Sequence, residues 1–182
     1  MIDCSRPTFS RRALSLLLCA GVCLAAATAA QAVTFTDLQV AARALSFMES
    51  PLTGVVRVGI VYAPENPRSV QQAQELERLL GDGLRAGSVE LKPLLVKLGD
   101  AHEADVDLYF LTDYVGPDEA RAAQIGQGKR PCVTTDLRQV QSGACLMGVR
   151  SMPSVEIVVN RAAAKESGIT FATLFRVMIR EI

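Results

Sequence analysis

Histidine occurs once in this sequence of 182 residues, at His102, between Ala101 and Glu103. That scarcity removes most metal chemistry, because with no second histidine and no cysteines at short spacing a transition-metal site would have to be built from carboxylates alone. Cysteine is nearly as scarce. Beyond the first 32 residues only Cys132 and Cys145 remain, and neither belongs to a Cys-x-x-Cys redox motif. No Gly-x-Ser-x-Gly elbow places a serine at a strand-to-helix turn, so a serine nucleophile has no support, and His102 reads as an exposed loop or helix-start residue. Basic runs are missing too. With the three arginines and one aspartate of the first 32 positions set aside, 16 basic and 18 acidic residues remain, a formal charge near −2 that disfavours nucleic acid and anionic lipid as partners. The expectation is a protein without catalytic residues and without a metal.

Arg6, Arg11 and Arg12 precede an apolar run over residues 13–27, and the run ends at Ala30-Gln31-Ala32. A basic start, a short apolar core and an Ala-x-Ala site form a secretory signal peptide, cleaved before Val33. The competing reading is an uncleaved anchor, although the run is short against the ~20 residues a bilayer requires. Ser10-Arg11-Arg12 leaves both the Sec and the twin-arginine routes open. Leu18 and Val22 ahead of Cys19 and Cys23 argue against lipoprotein processing. The expected location is the periplasm. Residues 33–182 then suit one domain with a single core. Two cysteines in an oxidising compartment imply one disulfide, Cys132 with Cys145, the alternative being two reduced buried thiols.

The stretch at residues 55–62 (VVRVGIVY) organises the rest of the domain. Only Arg57 and Gly59 are neither apolar nor aromatic, and five of the eight are β-branched, which describes a strand buried on both faces. It runs into Ala63-Pro64-Glu65-Asn66-Pro67, where Asn66 offers a capping oxygen and Pro67 suits the first helical position. A buried strand feeding a helix through a short polar loop opens a doubly wound α/β domain. The expected fold is α/β: a single Rossmann-like parallel sheet in flavodoxin-like order, flanked by helices, with room for an antiparallel C-terminal strand.

Apolar spacing places a helix over residues 35–48, capped by Thr36 and Asp37, and a second behind the first strand with Val70, Ala73, Leu76, Leu79, Leu80 and Leu84 on one face. Residues 89–98 contain Pro93, which cannot donate to a ladder, so that strand belongs at an edge. Residues 105–112 (DVDLYFLT) form a further strand, and Gly116-Pro117-Asp118-Glu119 opens a short helix with acids in its first turn. Cys132-Val133-Thr134-Thr135 is a short strand, with Asp136 capping the turn or helix that reaches Gln141. Residues 144–149 and 154–160 lie close enough to pair as a hairpin. Residues 162–166 are helical, and residues 171–179 read as a final amphipathic helix.

The first strand-to-helix turn carries Pro64, Glu65 and Pro67 where a dinucleotide site needs glycines, and Glu65 would repel a pyrophosphate; no cofactor is expected. Polar residues stand instead where strands should emerge: Tyr62 and Asn66, then Thr112 and Asp113, then Thr134, Thr135 and Asp136. Such residues either orient a small ligand or cap helices and turns, and both readings stand. The sheet order should reverse between the first strand and that at 105–112, opening a crevice with Tyr62, Asn66 and Ser69 on one wall and Thr112 and Asp113 on the other. Unpaired N–H groups at a helix start there would favour a small anionic ligand.

Two resemblances extend this reading. Residues 132–136 (CVTTD), 142–146 (SGACL) and 155–160 (VEIVVN), followed by an alanine-rich turn, Ser167-Gly168-Ile169 and a closing helix, resemble the YfiR family of periplasmic proteins. That likeness implies a small secreted Rossmann-like domain without enzymatic activity, acting as a regulator or sensor through an inner-membrane protein, a diguanylate cyclase in its best-understood members. Residues 58–69 (VGIVYAPENPRS), 106–110 (VDLYF) and 140–144 (VQSGA) are similar to one lobe of the periplasmic substrate-binding proteins of ABC transporters. Carried over, that likeness makes Tyr62, Asn66, Ser69, Thr112 and Asp136 ligand-facing, and the membrane partner a transporter. Either role leaves room for a homodimer.

Overall fold

The computed structural model describes residues 33–125 and 128–182; the expected signal peptide lies outside the described residues. Its centre is an eight-stranded sheet in the order β2-β3-β1-β4-β5-β6-β7-β8. The strands are β1 (Gly54–Tyr62), β2 (Leu84–Ala86), β3 (Val89–Lys97), β4 (Leu108–Leu111), β5 (Cys132–Thr134), β6 (Met147–Arg150), β7 (Glu156–Val159) and β8 (Arg180–Glu181). Five of them, β3-β1-β4-β5-β6, run parallel in the flavodoxin-like order expected from the sequence. β2 is antiparallel to β3 and β7 to β6, and β8 is parallel to β7. The α-helices among the described residues are α1 (Phe35–Leu45), α2 (Pro67–Leu80), α3 (Pro117–Ala122), α4 (Leu137–Gln141), α5 (Arg161–Glu166) and α6 (Thr173–Arg176).

Strand β1 shows why the sheet is covered on both sides. Val56, Val58 and Ile60 join a core with α1, α2 and α5, while Val61 joins a second core with Val106, Tyr109, Leu111, Val115 and Ile125. Alternation on a pleated strand sends successive side chains to opposite faces, so an unbroken apolar run requires cover on each. Gly59 belongs to the second side, where an added Cβ would stand 3.1 Å from Val106 and 3.3 Å from Tyr109. Burial on both faces begins at Val58; Val55, at the strand's start, is 57% exposed, and the Arg57 side chain remains 44% exposed.

The parts that depart from expectation do so for tertiary reasons. Helix α1 starts at Phe35, capped by Thr34, whose hydroxyl takes the Asp37 N–H while the Asp37 carboxylate returns to Thr34; Thr36 has no part in it. Leu84 leaves the second helical face, because Gly81 ends α2 in a conformation with φ +54° and β2 then folds back on β3. Pro93 does sit at an open edge: β2 covers β3 only from Val89 to Leu91. The final helix is one turn, Thr173–Arg176, instead of residues 171–179. Phe171 bridges to Met48 and Phe175 stacks on Phe47 at 4.8 Å, fixing the turn, after which the chain straightens so that β8 satisfies the otherwise open edge of β7.

Cys132, opening β5, and Cys145, just before β6, form a disulfide with Cα atoms 5.1 Å apart, both side chains fully buried. Among the described residues no helix is long and apolar enough to cross a membrane.

Candidate functional site

The strand order reverses between β1 and β4: β1 has β3 on one side, reached through α2, and β4 on the other. Loops leaving the C-terminal ends of these two strands therefore diverge, and in such sheets ligands bind at that point. Of the residues singled out from sequence, Ser69 and Thr112 meet here, Asp113 reaches the end of β5, where Thr135 and Asp136 stand, Asn66 caps α2, and Tyr62 lies apart.

Ser69 and Thr112 form the base. Both are fully buried, and their hydroxyl oxygens lie 2.7 Å apart. The Ala63 N–H donates to Ser69 Oγ at 2.9 Å, and Thr112 Oγ1 donates to the Val61 carbonyl at 3.1 Å. The chain of bonds thus runs Ala63 to Ser69 to Thr112 to Val61, tying the start of α2 to the ends of β1 and β4, so the two walls meet at this level. Asn66 caps α2 by accepting the Arg68 N–H at 3.1 Å, and its side chain stays partly exposed. Tyr62 stands apart, half-buried, on a hollow of about 330 Å³ shared with Leu94, Leu95, Lys97, Asp100 and Glu103 at the β3 side.

Above the base the rim carries charge of both signs. Asp113 accepts the Thr135 hydroxyl at 2.5 Å, while its N–H donates to Gln72 Oε1 at 2.8 Å, so α2, β4 and β5 are linked through it. Burial pushes the Asp113 carboxyl above its ordinary value, the Thr135 and Gln72 hydrogen bonds oppose this, the Asp136 charge adds to it, and the Arg150 charge opposes it. Asp136 is buried, caps α4 through the Arg138 N–H, and receives the Arg138 guanidinium at 2.7 Å. Arg138 itself is 79% exposed at its side chain. Arg150 Nε donates to the Thr135 carbonyl at 3.1 Å.

Gln139 is the residue that sequence reading missed. Fully buried, it donates through Nε2 to the Thr112 carbonyl at 2.9 Å and the Val115 carbonyl at 2.7 Å, and its Oε1 accepts the Thr134 hydroxyl. It holds the loop after β4 against the end of β5. In sequence it is an ordinary polar position of a short helix; the only signal is Val140 beside it, which gives the helix a buried side without showing how far burial extends.

His102 is exposed, as expected, and among the described residues no group of three or more histidine, cysteine, aspartate or glutamate side chains is arranged to hold a metal.

No family model matches the chain, and no curated protein does. The YfiR likeness rests on its quoted motifs alone. Among solved structures, the chain is similar to a conserved domain protein from Vibrio cholerae, with 14% identity and a TM-score of 0.54 over 81% of this chain and 59% of that one. It is also similar to an ABC domain from Streptococcus pneumoniae in complex with L-Trp, with 12% identity and a TM-score of 0.52 over 80% of this chain and 60% of that one. At these identities the likeness establishes the fold. In both cases the chain spans about three fifths of the length of the structure it matches.

Proposed function

We propose that this protein is an exported, non-enzymatic binding lobe that takes a small zwitterion, an amino acid or a close relative, at the C-terminal rim of its sheet. The observation that carries the reading is the mixed-charge rim at the C-terminal ends of β4, β5 and β6, where Asp113 accepts the Thr135 hydroxyl and lies within reach of the charges of Asp136, Arg138 and Arg150. An ammonium group suits Asp113, and a carboxylate suits the two Nη groups of Arg150, which have no partner among the described residues, whereas the fork edge of Arg138 is taken by Asp136. Ser69 and Thr112, both fully buried, tie the ends of β1 and β4 together. The likeness to an ABC domain in complex with L-Trp supports the ligand class and a transporter as partner. The disulfide supports residence in an oxidising compartment such as the periplasm.

The chain contains no tryptophan, so L-Trp can be titrated in with all indole emission coming from the ligand. A saturable change is expected, weakened about tenfold in Asp113→Asn or Arg150→Gln, the size of one charge-assisted bond. Absence of any saturable signal with L-Trp, together with no thermal shift from the other amino acids, would overturn the proposal.

One observation favours a second reading, a regulator docked on an inner-membrane protein as the YfiR likeness implies. Met152 and Val155 in the β6–β7 turn, and Val177 and Met178 just before β8, are 60–75% exposed. Since β8 runs parallel to β7, these segments meet at the same end of the sheet, where Arg180 pairs with Glu156 at 2.9 Å. Large apolar side chains gathered at a surface suit a protein partner. Crosslinking in intact cells that captures one inner-membrane protein, and loses it in Val155→Ser with Met178→Ser, would establish this role in place of capture.

A further inference from the structure

A second site lies away from the switch point, on the side of the sheet covered by the segment between β3 and β4. There His102, Tyr109, Gln124, Gly128, Lys129 and Arg130 line a hollow of about 430 Å³. Its polar heads are set by local structure. The chain leaves α3 through a left-handed residue, Gln124 at φ +55°, with the Gln124 N–H donating to the Arg121 carbonyl and the Ile125 N–H to the Ala120 carbonyl. That pattern closes the helix, seats Ile125 in the core beside Ala120, and leaves the Gln124 amide on the hollow.

Arg130 is held rigidly but is only partly used. Its Nη1 donates to the Ala104 carbonyl at 2.9 Å and to the Tyr109 hydroxyl at 2.5 Å, and its guanidinium carbon stands 5.6 Å from the centroid of the Tyr109 ring. The Tyr109 hydroxyl in turn donates to the Ala101 carbonyl at 2.6 Å, so the ring that orients Arg130 is itself fixed. The opposite edge, Nε and Nη2, has no partner among the described residues. That edge is the one a carboxylate or phosphate engages with two parallel bonds.

The surrounding charges point the same way. Neither Lys129 nor His102 has an ion-pair partner among the described residues. Asp107, the carboxylate that feels the Arg130 charge, gives both oxygens to Arg57 instead. Glu103 and Asp100, from the segment that also carries His102, line the other hollow beside Tyr62. We propose that this hollow binds a small oxyanion, a phosphate or carboxylate group, on the free edge of Arg130, with Lys129, His102 and the Gln124 amide completing its shell.

Inorganic phosphate and succinate, titrated separately by calorimetry into the purified protein at matched ionic strength with sodium chloride as control, test this and tell the two sources apart. Saturable heat is expected with at least one of them, weakened about tenfold in Lys129→Gln and by a similar factor in Arg130→Lys, which keeps the charge but loses the fork. Lys129 and His102 make no structural hydrogen bond among the described residues, so Lys129→Gln and His102→Gln should keep the parent's unfolding transition even if Arg130→Lys does not. The proposal is overturned if neither anion gives saturable heat beyond chloride, or if both Lys129→Gln and His102→Gln bind as tightly as the parent.

Discussion

Replacing Gln139 by leucine should damage the protein more than any change of similar size on its surface. The two side chains have nearly the same volume, so no cavity forms and no water can take the place of the amide. Three bonds are lost at once. The Thr112 carbonyl keeps the Val115 N–H at 3.2 Å, and the Thr134 hydroxyl oxygen keeps the Asp136 N–H at 3.0 Å. The Val115 carbonyl and the Thr134 hydroxyl proton lose the Gln139 amide and are stranded. Each buried polar group left without a partner costs about 1–3 kcal/mol, and the added apolar burial returns about 1 kcal/mol, giving a net loss of about 3 kcal/mol. Against a total of about 5–15 kcal/mol for a domain the protein should stay folded but weakened. Urea denaturation measures it: with a slope of about 2 kcal/mol per molar, the midpoint should fall by about 1.5 M without a change in slope. A fall below about 0.3 M would refute the claim that Gln139 is the strut beneath the rim.

Other consequences are equally open to measurement. Replacing Cys132 and Cys145 together by alanine should lower stability by about 3 kcal/mol, from release of the 13-residue separation they close, while circular dichroism keeps the native spectrum; equal mass for the oxidised and reduced protein would remove the bond from the account. Gly59→Ala should cost about 1–2 kcal/mol by forcing Val106 and Tyr109 back from β1, and an unchanged unfolding midpoint would mean that the covering segment yields freely. Because the folded Asp113 carboxyl holds its proton to a higher pH than the unfolded one does, its contribution is most favourable below the unfolded value of about 3.9 and declines as pH rises toward the folded value. Asp113→Asn keeps the acceptor for Thr135 and should flatten that decline, leaving the variant more stable at neutral pH; identical stability-against-pH curves for variant and parent would show that burial of this carboxyl carries no energetic weight.

The central strand is legible because its signals agree: five β-branched residues in eight favour a strand, and Asn66-Pro67 suits the start of the helix that follows. The crossover rule then fixes the hand of the parallel connections, and the reversal beside β1 is the flavodoxin-like arrangement expected. The C-terminal turn is misleading because residues 171–179 have helical spacing, whereas their fate is decided by Phe47 and by the edge of β7, both distant in sequence. The rim is legible as a set of polar strand ends but not as an arrangement. That Ser69 reaches Thr112, 43 positions away, and Asp113 reaches Thr135, 22 away, follows only from the packing of three elements. Gln139 and Arg130 lie at the limit of sequence reasoning, since a buried polar side chain and a surface one have the same letter, and only the surrounding carbonyls tell them apart.

The most direct test of the binding lobe is amide chemical-shift mapping of the 15N-labelled protein as an amino-acid ligand is added. The largest saturable shifts should fall on Asn66, Asp113, Thr135, Asp136 and Arg150, at the C-terminal ends of β1, β4, β5 and β6, with the opposite end of the sheet unmoved. Saturable shifts confined to other surfaces, or none at any amino-acid concentration reached, would contradict it.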